Sequence, residues 1–284
     1  MKRQSVALLV GSVIGVCVSC ATNPYTERHQ LILLPQSYES QLGEQAYHQV
    51  LNDTKTHISQ DLKEIDPVNR VAARIIDAAK QSKYADTANR FTWEVTVIKD
   101  DNTINAFALP GGKIAVYTGI FPVAKNEAGL AAVLGHEVTH ALARHGAERM
   151  SQGLVAEIAL NAAAIGLQLE GFAAQSSNAI MQALGLGAQV GVLLPFSRAH
   201  ESEADHVGII LAAQAGYDPR EAIHLWERME QAGGAQPPGF LSTHPSHGTR
   251  IKQLEEWMPE ALSYYKQVPH APAGPDLPAL HRSS

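Results

Sequence analysis

Apolar residues recur at helical spacing over residues 36–52 and again over 62–82. In the second stretch Val68, Val71, Ala72, Ile75, Ile76 and Ala79 share one face, which predicts an amphipathic helix. Over residues 91–98 the period changes to two. Phe91, Trp93, Val95 and Val97 alternate with Thr92, Glu94 and Thr96, the pattern of a half-buried strand. Residues 104–109 and 113–117 flank Pro110-Gly111-Gly112 and predict a β-hairpin. From Asn126, a candidate N-cap followed by Glu127, the pattern is helical to about Met150. Further helices are predicted over 198–215, 219–231 and 246–257. The Ala/Gly/Leu-rich stretch 154–194 reads as two packed helices broken near Gly171 and Ser176-Ser177. Its most membrane-like part, 179–196, is interrupted by Gln182 and Gln189. Residues 21–37 read as an extended arm, with a turn at Asn23-Pro24-Tyr25-Thr26 and an apolar strand at 31–34. Pro269, Pro272, Pro275 and Pro278 predict a disordered tail within 263–284. These elements amount to an α+β, mainly helical fold.

Composition narrows the function. With 45% hydrophobic and 18% charged residues, the chain is neither wholly disordered nor fibrous. A net charge of −6 argues against general nucleic-acid binding, which needs a basic face. Lys2 and Arg3 precede a short apolar stretch at 6–18, the layout of an export signal. Val18-Ser19-Cys20 then resembles a lipoprotein processing site, with Cys20 the lipidated residue; an ordinary secretory signal is the alternative. Ala21 in place of an aspartate favours an outer-membrane anchor facing the periplasm. The expected organisation is a signal at 1–19, a lipid-anchored arm at 20–37, a catalytic domain at 38–262 and the proline-rich tail.

The chemistry concentrates at His136-Glu137-Val138-Thr139-His140. On a helix His136 and His140 stand four apart, so both imidazoles leave one face and can share a metal ion, with Glu137 beside them. Leu130, Val133, Leu134 and Leu142 would bury that helix, where unpaired ionisable groups are costly. A third ligand is sought on another element, and Glu201-Ser202-Glu203-Ala204-Asp205 is the source. Glu201 can ligate, and Asp205, on the same face, can accept the second N–H of a ligand imidazole. Glu203 points elsewhere, to solvent or into an internal salt bridge. His145, His200 and His206 read as surface or packing residues.

Together with Ser197-Arg198-x-x-Glu201, Gly216-Tyr217-Asp218-Pro219, Ser242-Thr243-His244-Pro245 and Arg250, this pattern resembles metallopeptidase family 48. The hairpin Asn105-Ala106-Phe107-Ala108-Leu109-Pro110-Gly111-Gly112 and the N-terminal signal resemble the soluble periplasmic branch of that family. The resemblance implies a zincin-like fold and a zinc endopeptidase carrying one Zn²⁺ per chain. His136, His140 and Glu201 would be its ligands and Glu137 its general base. His244, Arg198 and Arg250 are candidate oxyanion donors, and His244 can also approach the metal as a switch. Arg198 and Arg250 can equally serve only to pair with acidic helices. Glycines and prolines around 232–246 predict an irregular, movable loop for His244. Residues 105–109 are the candidate substrate strand, pairing an extended peptide through its backbone. The implied partners are unfolded or misassembled envelope proteins, a membrane through the lipid, and envelope assembly machinery, with no nucleic acid. Two other readings compete: a metal-regulated chaperone or binding protein, and a zinc amidase acting on cell-wall peptides. The intact Glu137 favours an endopeptidase over the first, because a binding module needs no base beside its metal. The hairpin and the family motifs argue against the second.

Overall fold

The helix that carries both histidines is buried along almost its whole length, and the other elements are arranged around it. The structure is a computed structural model describing residues 20–166, 196–232, 239–244, 248–272 and 274–280. The signal predicted at 1–19 and most of the stretch read as two packed helices, 167–195, lie outside the described residues. Among the described residues no helix is long and apolar enough to cross a membrane.

A short antiparallel pair opens the chain, β1 (Cys20–Thr22) and β2 (His29–Leu31). Two helices follow, α1 (Gln36–Leu51) and α2 (Leu62–Gln81), the second capped by the Asp61 side chain, then the single turn α3 (Ala85–Ala88). Strands β3 (Glu94–Ile98), β4 (Ala106–Leu109) and β5 (Lys113–Tyr117) form one sheet in the order β3-β5-β4. The hairpin β4-β5 is antiparallel as expected. The period-two strand β3 joins β5 in parallel, so the sheet is mixed. Next come α4 (Phe121–Ala124), α5 (Glu127–Leu142), α6 (His145–Gly166), α7 (Arg198–Gln214), α8 (Glu221–Ala232), α9 (Gly239–Thr243) and α10 (Arg250–Tyr265).

Helix α5 is apolar around most of its circumference, which suits a helix enclosed on all sides. Asn126 caps it, accepting from the Gly129 N–H at 2.9 Å. The helix crosses α7 at close range, glycine against glycine. A Cβ on Gly135 would lie 2.5 Å from the Gly208 carbonyl oxygen, and one on Gly208 would lie 2.8 Å from the His136 nitrogen. Both neighbours are backbone and cannot step aside. Gly135→Ala is therefore expected to push α5 and α7 apart and cost about 1–3 kcal/mol, read as a lower denaturant midpoint. A wild-type midpoint would show slack at this crossing.

Three sequence expectations are corrected. The helix predicted to run to Met150 stops at Leu142, because Arg144 turns into the left-handed region at φ 56 before α6 begins. That turn is held from a distance: the Arg144 guanidinium bonds the Glu39 carboxylate and the Leu34 carbonyl. The last helix starts four residues later than predicted and runs on through Pro259 to Tyr265. The tail expected to be disordered lies along the body at its described residues, 263–272 and 274–280. Ala271 N–H donates to the Gly216 carbonyl at 2.7 Å, Leu277 N–H donates to the Lys125 carbonyl at 2.8 Å, and the Leu277 side chain is buried. Prolines keep such a segment extended, and the residues between them supply its donors and its apolar contact.

Candidate metal centre

Helix α5 supplies His136 and His140 one turn apart, α7 supplies Glu201 and Asp205 with the same spacing, and His244 follows directly on α9. His136, His140, Glu201 and His244 are all buried, and one ligand atom of each lies within 4.8 Å of the others. His136 Nε2 is 3.1 Å from His140 Nε2 and 3.6 Å from a Glu201 oxygen. His140 Nε2 is 3.4 Å from the other Glu201 oxygen. His244 Nδ1 closes the group at 3.2 Å from His136 Nε2 and 3.0 Å from Glu201 Oε1. Donors sharing one tetrahedral ion at about 2.0–2.1 Å stand about 3.3 Å apart, and these spacings bracket that value.

The outward nitrogens decide what the inward ones carry. His136 Nδ1 faces Asp205 Oδ1 at 2.9 Å, and a carboxylate only accepts, so the ring proton sits on Nδ1. His140 Nδ1 faces His145 Nδ1 at 2.9 Å, and His145 Nε2 faces Glu203 Oε2 at 2.8 Å. His145 thus donates from Nε2 and accepts at Nδ1, which places the His140 proton on Nδ1. Burial pushes His140 well below the ordinary imidazole range and His145 down to about 4, so both rings are neutral. Burial alone would lower His136, but the Asp205 contact outweighs it and raises that ring; in its neutral form its Nε2 lone pair faces that of His140 across 3.1 Å, beside a carboxylate. A cation relieves that repulsion, and the donor set of imidazoles and carboxylate suits a transition-metal ion.

The Glu201 carboxyl is buried, which alone would raise it. His244, His140 and His136 outweigh burial and hold it far below the usual carboxylate range. Glu137 is also buried, and there burial wins and pushes its carboxyl up. Glu137 Oε2 accepts from the Ala108 N–H at 3.3 Å. Its Oε1 lies 3.3 Å from His244 Nε2 but outside hydrogen-bonding geometry.

The remaining candidates divide. Arg250 is buried against the group: Nε donates to Asp205 Oδ2 and Nη2 to Glu201 Oε2, each at 2.6 Å, and its guanidinium lies 3.7 Å from the Trp226 ring centroid. These contacts are the pairing with acidic helices that was its alternative reading, and Nη1 has no hydrogen-bond partner. Arg198 is exposed at the first turn of α7. The irregular loop expected over 232–246 contains a helical turn, α9, anchored by the buried Phe240, with His244 directly after it and also buried. Residues 233–238 and 245–247 lie outside the described residues. His145 and His200, read as surface or packing residues, are buried and bonded to Glu203 and Glu148. Glu203 makes the internal ion pair that was one of its two readings, with Arg28 of the arm. The His145 contact to His140 exists only because of the chain reversal at Arg144, so no spacing rule reveals it.

Among the described residues strand β4 is at the edge of the sheet and turns that edge toward α5, where Glu137 Oε2 accepts from the Ala108 N–H and the Asn105 side chain from the Ala106 N–H. Phe240 N–H closes the strand's entry by donating to the Ile104 carbonyl at 2.9 Å.

Residues 66–258 match the model of peptidase family M48. The mitochondrial metalloendopeptidase OMA1 of Schizosaccharomyces pombe is 38% identical over 90% of this chain and 71% of its own length. The protein of that name in Saccharomyces cerevisiae is 31% identical over 94% and 77%. A putative beta-barrel assembly-enhancing protease of Vibrio cholerae is 30% identical over 74% of this chain and 42% of its own. These relatives correct the location read from the N-terminus. The two yeast proteins matched over most of the chain are mitochondrial, in conflict with a lipoprotein of the bacterial outer membrane. A basic start followed by a short apolar run is a targeting layout of low specificity, and one cysteine after it does not settle the destination.

Proposed function

The chain belongs to peptidase family M48 and is a metalloendopeptidase, and on that premise we propose that it holds one zinc ion on His136, His140 and Glu201 and cleaves unfolded or misassembled proteins. The observation that carries the reading is the buried convergence of His136 Nε2, His140 Nε2 and the Glu201 carboxylate at spacings that fit one tetrahedral ion. Zinc held by those residues would supply Lewis acidity for activating water and polarising a carbonyl. Glu137, the next residue on the same helix, would be the general base: its Oε1, which has no hydrogen-bond partner, can hold a proton and pass it to the leaving amine. Burial has already raised its carboxyl, which brings its proton affinity closer to that of the groups it serves. An extended peptide pairs with the outer edge of β4, residues 105–109, displacing the Asn105 and Glu137 side chains from the Ala106 and Ala108 N–H groups. Backbone pairing reads chain exposure more than side-chain identity, which suits unfolded substrates. The name of the Vibrio relative, a putative beta-barrel assembly-enhancing protease, supports assembly machinery as a partner class. His244, whose Nδ1 joins the same buried group, would be available as a further donor.

Metal analysis and casein digestion test this together. The purified chain is expected to carry one zinc ion and to digest casein, to stop when stripped by a chelator, and to recover with added zinc. Digestion by the metal-free protein would overturn the reading.

A further inference from the structure

We infer that Arg28, in the N-terminal arm, is a positioning residue of the metal centre, acting on His140 through Glu203 and His145. The inference rests on the reading of His136, His140 and Glu201 as metal ligands.

Arg28 lies in the turn between β1 and β2, far from the metal ligands in sequence, and spans two buried carboxylates. Its Nη1 and Nη2 each donate to Glu148 at 2.8 Å, while Nε and Nη2 donate to Glu203 Oε2 at 3.2 and 2.8 Å. The Thr26 hydroxyl donates to the other Glu203 oxygen. Each carboxylate in turn holds an imidazole. Glu203 takes the N–H of His145 at 2.8 Å and Glu148 that of His200 at 3.1 Å, and the two rings stack at 4.4 Å and 17°. One planar guanidinium therefore braces two parallel carboxylate–imidazole pairs, a task a forked cation performs and a point charge does not. Gln30 ties the same arm to the Ala143 carbonyl at 2.7 Å, beside the chain reversal that presents His145.

The consequence for the metal follows from donors and acceptors. His145 accepts the Nδ1 proton of His140 only while its own proton stays on Nε2, and it stays there because Glu203 is fixed opposite. Without Arg28, two buried carboxylates face each other with no cation between them, and Glu203 can turn into the space left open. His145 is then free to carry its proton on Nδ1, where it opposes the Nδ1 proton of His140. His140 answers by holding its proton on Nε2, the nitrogen that should face the metal.

The test uses the full chain as wild type, Arg28→Ala, Arg28→Lys and Arg228→Ala. Arg228 is a matched control: its side chain is 24% exposed against 25% for Arg28, and it bonds Val123, Ala124 and Glu221 away from this cluster. Zinc affinity is measured by competition with a chromophoric chelator, and the tautomer of His140 by ¹⁵N NMR of the metal-free imidazoles. Arg28→Ala is expected to weaken zinc binding about 10-fold, the low end for residues that orient a ligand. Arg28→Lys should fall between, and Arg228→Ala should match wild type. His140 should carry its proton on Nδ1 in wild type and on a mixture of nitrogens in Arg28→Ala. Wild-type affinity and tautomer in Arg28→Ala, or an equal loss in Arg228→Ala, overturns the inference and leaves the metal centre standing. A wild-type chain that binds no zinc removes the metal centre itself.

Discussion

Glu137→Gln is expected to keep its zinc and lose hydrolysis, with kcat on an unfolded substrate falling by about 10²–10⁴-fold. The amide has the shape of the carboxylate and retains an oxygen to accept from the Ala108 N–H, so the helix and the β4 edge stay in place. What disappears is proton affinity at the one oxygen of this side chain that lacks a hydrogen-bond partner. The ligands His136 and His140 are untouched. Zinc content by metal analysis and turnover of a peptide substrate, measured on one preparation, separate the two effects. Turnover within a factor of ten of wild type would take the general-base role away from Glu137.

Arg250→Ala is expected to cost about 3–5 kcal/mol of stability, because it strands two carboxylates in the interior. Glu201 and Asp205 are both buried, and Arg250 donates to each at 2.6 Å. The same truncation opens a gap beneath the Trp226 ring. Zinc binding should weaken as well, since Asp205 would keep His136 but lose the group that aims it. Bound zinc offsets part of the penalty by neutralising Glu201, so the loss should be largest in chelator. Equal denaturant midpoints for variant and wild type in chelator would refute this account of Arg250.

How much was legible follows from the range over which each feature is decided. The α2 stripe, the period-two strand and the β4-β5 hairpin depend on neighbours a few residues away. Their residue types betray them without a structure. The pairing of His136 with His140 and of Glu201 with Asp205 is legible for the same reason, because one helical turn sets both. The break at Arg144 was not. A non-glycine residue at φ 56 is held by Glu39 and Leu34, more than a hundred residues earlier. The parallel union of β3 with β5 was equally hidden, since it depends on the connection that crosses between them. The tail was misjudged because proline spacing speaks to backbone stiffness and not to the docking surface that Gly216 and Lys125 provide.

By itself the sequence determined the local frame: which stretches coil or extend, and which side chains share a helical face. Only the tertiary structure decided what those side chains became. It placed Arg28 between Glu148 and Glu203, set His145 behind His140, and made Arg250 the brace of two carboxylates. The physical reason is that a residue's protonation, tautomer and orientation are set by the groups that surround it after water has been excluded. Those groups arrive from four or five separate elements, whose meeting no local pattern encodes.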